Sequence, residues 1–319
     1  MTMGTYEQGL ARVANVWAEQ AASWYVGRGL HWVEHNLVQE RINLKAGADP
    51  GIDRYHHFVR KYFSGKLPVE RALTLGCGAG EFERGLASYN FCRHHDAVDI
   101  SGGAIEHAIS GARAAGLSHI NYRVDDLNRI VIEPDSYDVI FGISSVHHVS
   151  ALEHLYGQVL AGLKPGGFFF MDEFIGPSQF QWTDSQLEAS NTELRKLPTR
   201  FARSVTNPTS MKTPVVRPTI EFMNEHDPSE AVRSADIVAL LPQYFEVVEI
   251  NGQGGSLLHL LLEDIAGNFN EENEGSIAYL KGLFELEDQL INERVLQHDF
   301  ATIIAQKRDR SAYATHAGP

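Results

Sequence analysis

Cysteine is nearly absent from this chain of 319 residues, with Cys77 and Cys92 its only two. A disulfide framework is therefore not expected, the more so because Cys77 lies inside a glycine-rich turn, and a reducing compartment fits. Long apolar runs are missing as well. No stretch approaches the roughly twenty apolar residues that cross a bilayer, and Glu7, Arg12 and Glu19 interrupt the N-terminal stretch where a signal segment needs an unbroken apolar core. Basic charge is also scarce, with 27 Lys and Arg against 41 acids and a formal net charge of -14. Such a surface repels a phosphate backbone on average, so nucleic acid is not an expected partner. No internal repeat or low-complexity tract is present. These absences point to a soluble cytoplasmic protein with no membrane partner, long enough for one large domain with additions or for two ordinary ones.

Two patterns occupy what is there. Residues 6 to 64 carry apolar positions near helical spacing (Leu10, Val13, Val16, Trp17, Trp24, Leu30 and Trp32), broken at GADPG before a second helix around Tyr55 to Phe63. From Ala72 the pattern changes. The runs ALTLG, DAVDI, INYRV, YDVIFGI and GGFFFMDE read as strands alternating with helices, which implies a parallel sheet with helices on both faces. FEVVEI at 245–250 and FATIIAQ at 300–306 add two strands, separated by a long apolar helix-like segment from Leu257 to Leu296. The expected organisation is an N-terminal helical cover over 1–68, an α/β domain over 69–308 with helical insertions at about 178–242 and 256–297, and a tail over 309–319. Within the first insertion, a loop rich in Pro and Thr is expected near 206–219.

One further absence decides what the glycine turn holds. In ALTLGCGAGEFERGL the dinucleotide pattern G-x-G-x-x-G needs a glycine at position 81, which is Glu81. The glycines present are Gly76, Gly78 and Gly80, and an acid beside them opposes a pyrophosphate. A nicotinamide cofactor is thus disfavoured, and a cationic ligand without phosphate fits better. Alone, G-x-G-x-G also fits a purely structural turn. Asp99, ending the second predicted strand, stands where a ribose-binding carboxylate belongs in a doubly wound fold. Asp125 and Asp126 follow the third strand and suit the amino group of an adenine. LKPGG at 163–167 reads as a turn into the fifth strand.

Together LGCGAGEFE, AVDIS, VDDLN, SYDVIFGISSVHHV and LKPGGFFFMDE, in order over about residues 69–175, resemble the class I S-adenosylmethionine-dependent methyltransferases of the type 11/12-like kind. The resemblance implies a Rossmann-like seven-stranded sheet whose last strand is antiparallel. It implies S-adenosyl-L-methionine as cofactor and S-adenosyl-L-homocysteine as product, held by Gly76, Cys77, Gly78, Gly80, Asp99, Asp125 and Asp126. DEFIGPSQFQW and DPSEAVRS further resemble a bacterial group associated with polysaccharide or secondary-metabolite pathways.

Methyl transfer needs alignment and exclusion of water, and a base only where the acceptor carries a proton. Polar groups expected beyond the strand ends are His147 and His148 after strand four, and Asp172 and Glu173 on strand five. Alternation at a strand end would turn one of each pair toward the cofactor; His148 and Glu173 are the catalytic candidates. His, Asp and Glu together could hold a divalent cation, but without a tight ligand spacing no metal is expected. Trp24, Trp32, His35, Tyr55, Phe180, Trp182 and Phe222 are the available covers of the acceptor, and Arg195, Arg200, Arg203 and Arg217 form the one locally basic tract. The expected acceptor is a small molecule offering an oxygen of a sugar or specialised metabolite. Transfer to nitrogen, carbon or a peptide carboxylate stays open. So does an inactive cofactor-binding partner that uses 257–296 as a homodimer interface.

Overall fold

The computed structural model describes residues 29–308. The apolar pattern through Trp24 and the tail from 309 lie outside the described residues. All seven expected strands are present, as β1 Val69–Leu75, β2 Cys92–Asp99, β3 Ile120–Val124, β4 Tyr137–Ile143, β5 Leu163–Phe174, β6 Glu246–Gly254 and β7 Phe300–Gln306. They form one sheet in the order β3-β2-β1-β4-β5-β7-β6. The first five pair in parallel, and β7 runs antiparallel between β5 and β6. This is a Rossmann-like sheet with its last strand reversed. β1 and β4 are central and covered on both faces, which is why Ala72 to Leu75 and Val139 to Phe141 are apolar without alternation, apart from Thr74.

The helices are α1 Asn36–Lys45, α2 Arg54–Phe63, α3 Glu81–Ala87, α4 Gly102–Ala114, α5 Leu152–Gly162, α6 Asp184–Lys196, α7 Ile220–His226, α8 Asp236–Leu240, α9 Leu258–Leu262 and α10 Glu274–Asn292. α2 starts where Asp53 accepts a hydrogen bond from the His56 N–H at 2.7 Å. It buries Phe58, Val59 and Phe63, with Phe58 ring to ring against Phe141 of β4 and Phe170 of β5. α1 lies against α2 and β6. The second helical layer joins α1 to α9 and α10 through Val38, Ile42, Leu258, Leu261, Leu280 and Leu283, all buried. The apolar residues of the 256–297 segment are thus largely consumed inside the chain.

Three expectations meet a different local structure. The segment from Leu257 to Leu296 is two helices, because Asp264 adopts φ 61° and turns its side chain to the Thr206 N–H and hydroxyl. Asn273 then caps α10 anew, accepting from the Ser276 N–H. LKPGG is a bulge within β5, where the register to β4 slips between Tyr137 and Val139, with Gly166 at φ 76°. The loop between α6 and α7 runs from Leu197 to Thr219, longer than the expected break. Among the described residues no helix is long and apolar enough to cross a membrane.

Candidate active site

The glycine turn leaves β1 with left-handed backbone at Gly76, Gly78 and Gly80. A Cβ on Gly76 would lie 2.4 Å from the Ser145 Cβ, so only glycine lets β1 pass the end of β4. A Cβ on Gly78, by contrast, would meet nothing within 4 Å. That open space adjoins Asp99, whose carboxylate accepts hydrogen bonds from the Gly78 N–H at 2.9 Å and the Ser101 N–H at 2.8 Å. Burial pushes the Asp99 carboxyl above its ordinary value, against the backbone N–H groups that hold it down. Each oxygen keeps a further lone pair for a ligand hydroxyl. Cys77 is buried among Ala97, Ile105 and Ala108, and its backbone N–H donates to Val98. Glu81 is exposed and paired with Arg84 at 3.2 Å. Asp125 accepts from the Asp126 N–H, and Asp126 from the Asn128 N–H, both at 2.9 Å. Asn128 in turn holds Ser150 and Ala151 at the start of α5.

Beyond the carboxyl ends of β4 and β5 lies a cavity of about 220 Å³. Its lining combines Trp32, Phe174, Phe180 and Phe300 with His147, Asp172, Glu173, Glu230, His259 and Glu263. Residues 146–148 form a turn of 3-10 helix, and the buried Glu173 organises it. One Glu173 oxygen accepts from the Ser145 and Val146 N–H groups at 2.6 Å each, and the other meets His147 Nδ1 at 2.7 Å. Burial alone would depress the His147 pKa, but the charge and hydrogen bond of Glu173 outweigh it and hold it above the ordinary value. His148 turns away from the cavity; its Nδ1 lies 3.2 Å from the Ser229 hydroxyl. Burial, then the charge of His147, lowers its pKa well below the usual range.

Asp172 faces the other way along β5. It accepts from Arg54 Nε at 2.6 Å, the Tyr55 hydroxyl at 2.7 Å and Gln253 Nε2 at 2.6 Å. One strand end therefore anchors α2 and β6 with one carboxylate and the histidine turn with the next. His259 sits among the rings of Trp32, Phe174, Phe180, Trp182 and Phe300. Burial lowers its pKa to about 4, so it is neutral near pH 7, with Nδ1 buried and unpartnered.

Residues 72–167, from β1 to the bulge of β5, match a methyltransferase-domain family. Over these residues the chain resembles a methyltransferase domain, and its sheet has the Rossmann-like methyltransferase fold. A sterol 24-C-methyltransferase of Candida albicans is 28% identical over 136 residues, 42% of this chain and 35% of that protein. A sterol methyltransferase-like protein of Botryococcus braunii is 28% identical over 120 residues, 37% of this chain and 31% of its own length. The chain thus spans about a third of the length of these curated relatives. Among solved structures, an S-adenosylmethionine-dependent methyltransferase from Mesorhizobium loti aligns with TM-score 0.43 and 18% identity over 75% of this chain and 92% of that one. A sarcosine dimethylglycine methyltransferase, so described, from Galdieria sulphuraria gives 0.49 and 15% over 80% and 86%.

The open face at Gly78 and the Asp99 carboxylate fit a ribose. Of the expected covers, Trp32 and Phe180 line the cavity, and Tyr55 stands behind it on Asp172. His35 caps α1, Trp182 packs against Phe174, and Phe222 stacks on His226 at the surface. Trp24 is outside the described residues. The basic tract does not converge: Arg217 pairs with Asp184, Arg195 with Thr192, Arg203 with the Pro208 carbonyl, and Arg200 covers Phe201. Arg54, Gln253, Glu230 and His259 had no sequence signal of their own, although Glu230 lies inside DPSEAVRS. That stretch and GPSQFQW interlock through Gln179 N–H to the Ala231 carbonyl and Ser234 hydroxyl to the Gly176 carbonyl, which gives their joint appearance a structural reason.

Proposed function

We propose that this protein is an S-adenosylmethionine-dependent methyltransferase that transfers a methyl group to a hydroxyl oxygen of a sugar or similar small specialised metabolite held in the cavity, with His147 as general base and Glu173 as its positioning residue. One observation carries the reading: His147 lines the cavity while a fully buried carboxylate fixes its Nδ1 at 2.7 Å. The bound cofactor supplies an electrophilic methyl on a sulfonium. His147 Nε2 would take the proton of the acceptor hydroxyl as that oxygen is methylated, and Glu173 would stabilise the resulting imidazolium. Glu173 itself is poorly suited to be the base, since both its oxygens already accept hydrogen bonds. Aromatic faces beside carboxylates and the neutral His259 suit a ring bearing several hydroxyls.

A second reading has its own observation. Four aromatic side chains with Glu230 and Glu263 also suit an ammonium, held by cation–π attraction, and hence transfer to nitrogen.

The test uses cofactor labelled in the methyl group and a panel of polyhydroxylated and amine metabolites. Label in an alkali-stable ether supports the oxygen reading; label in an amine or an alkali-labile ester overturns it. His147→Ala should then lower turnover by about 10² to 10⁴ with cofactor affinity unchanged. Activity in the parent should rise with pH through a His147 pKa above 6.5, because the base must be unprotonated.

A further inference from the structure

We propose that His147, His148 and Glu230 form a binding site for a divalent transition cation of the zinc type. Their ligand atoms all lie within 4.8 Å of one another. The histidines offer Nε2, since their Nδ1 atoms face Glu173 and Ser229. His147 Nε2 stands 3.7 Å from one Glu230 oxygen, and His148 Nε2 stands 3.9 Å from the other. Bonds of about 2.0 to 2.1 Å in a tetrahedron put ligand atoms about 3.3 Å apart, so from a set within 4.8 Å the three close on a cation with shifts of up to about 1.5 Å.

The surroundings are those of a metal ligand set. Glu173 grips His147 Nδ1 from behind, which fixes the ring and enriches its Nε2 lone pair, the usual role of a carboxylate behind a metal-bound histidine. Glu230 is held in place by its chain neighbours, where the Val232 N–H donates to the His147 carbonyl. Two imidazoles and one carboxylate suit zinc or iron better than magnesium or calcium, which prefer all-oxygen sites. His147 and Glu230 both line the cavity, so the remaining coordination position opens toward it. No tight spacing marks the site in the sequence, because Glu230 comes from the insertion and the histidines from the end of β4.

The site rests on geometry and stands apart from the methyl-transfer reading. It nonetheless bears on it: a nitrogen whose lone pair holds a cation cannot take a proton. Zinc at this site therefore withdraws His147 as a base and suppresses transfer.

The test needs no acceptor. Zinc chloride is titrated calorimetrically into chelator-stripped, tag-free full-length protein, and into His148→Asn and Glu230→Gln variants whose thermal midpoints show that they are folded. One zinc per chain, with affinity reduced at least tenfold in both variants, is the expected result. A Glu173→Gln variant should bind about 10 to 100 times more weakly. No uptake by the parent, or affinity unchanged in either of the first two variants, overturns the site. Binding of the cofactor product, followed in the same samples, should be unaltered by the His148 and Glu230 substitutions, which separates loss of the metal site from loss of fold.

Discussion

Single residues set the pH behaviour of this protein, and Glu83 is one case. It sits in α3 with no exposed surface, and burial raises its carboxyl from 4.5 to about 7. Between those values the folded chain keeps a proton that the unfolded chain has lost, so stability falls as pH rises through this window. Glu83→Gln removes the cost. The variant should match the parent near pH 4.5 and exceed it at pH 8 by about 1 to 3 kcal/mol, read from urea midpoints at the two values. An equal effect at both would mean that the charge of Glu83 carries no cost in the fold. His147 works with the same sign, as its raised pKa gives stability that is full below 6.5 and lost as pH climbs through the folded value.

At the scale of elements, the sheet was legible because each strand announced itself locally, by an apolar run bounded by turn residues. The left-handed turn at Gly76 and Gly78 and the place of Asp99 at the end of β2 were legible for the same reason: they follow from position along one strand–turn–helix unit. The histidine turn was not. Alternation assigns neighbours to opposite faces only while the chain is extended, and residues 146–148 are a 3-10 turn, in which successive side chains step about 120°. Arg54 and Gln253 carried no local signal at all, since their meaning comes from Asp172, 118 and 81 residues away. That contact also fixes α2. Arg54 and Asp172 side chains are 11% and 8% exposed, so Arg54→Leu strands a buried carboxylate and should cost about 3 to 5 kcal/mol. Adding Asp172→Asn should recover most of it. A loss below 1 kcal/mol in the single variant would show that α2 is held by its aromatic face alone.

For the whole molecule, the position of β7 has a consequence for the order in which the chain can be finished. Among the described residues β6 has β7 as its only sheet neighbour, yet β7 is made tens of residues later. At about 5 to 20 residues per second, the nascent protein spends seconds with β6 unmatched and the β5 edge open, and α1, which lies on β6, has no completed surface to settle on. α1 is made before the sheet, yet the β6 surface it rests on is not complete until β7 is made. Chains stalled before residue 300 should therefore be cut by protease in both the 29–68 helices and β6 while the β1 to β4 region resists, and release of residues 300–306 should protect both together. Protection of the 29–68 helices before β7 emerges would mean that α2 docks on β4 and β5 unaided. A nascent chain in that interval offers an unpaired strand edge to its neighbours on the same message, so the last strand made is also the one that ends its exposure to aggregation.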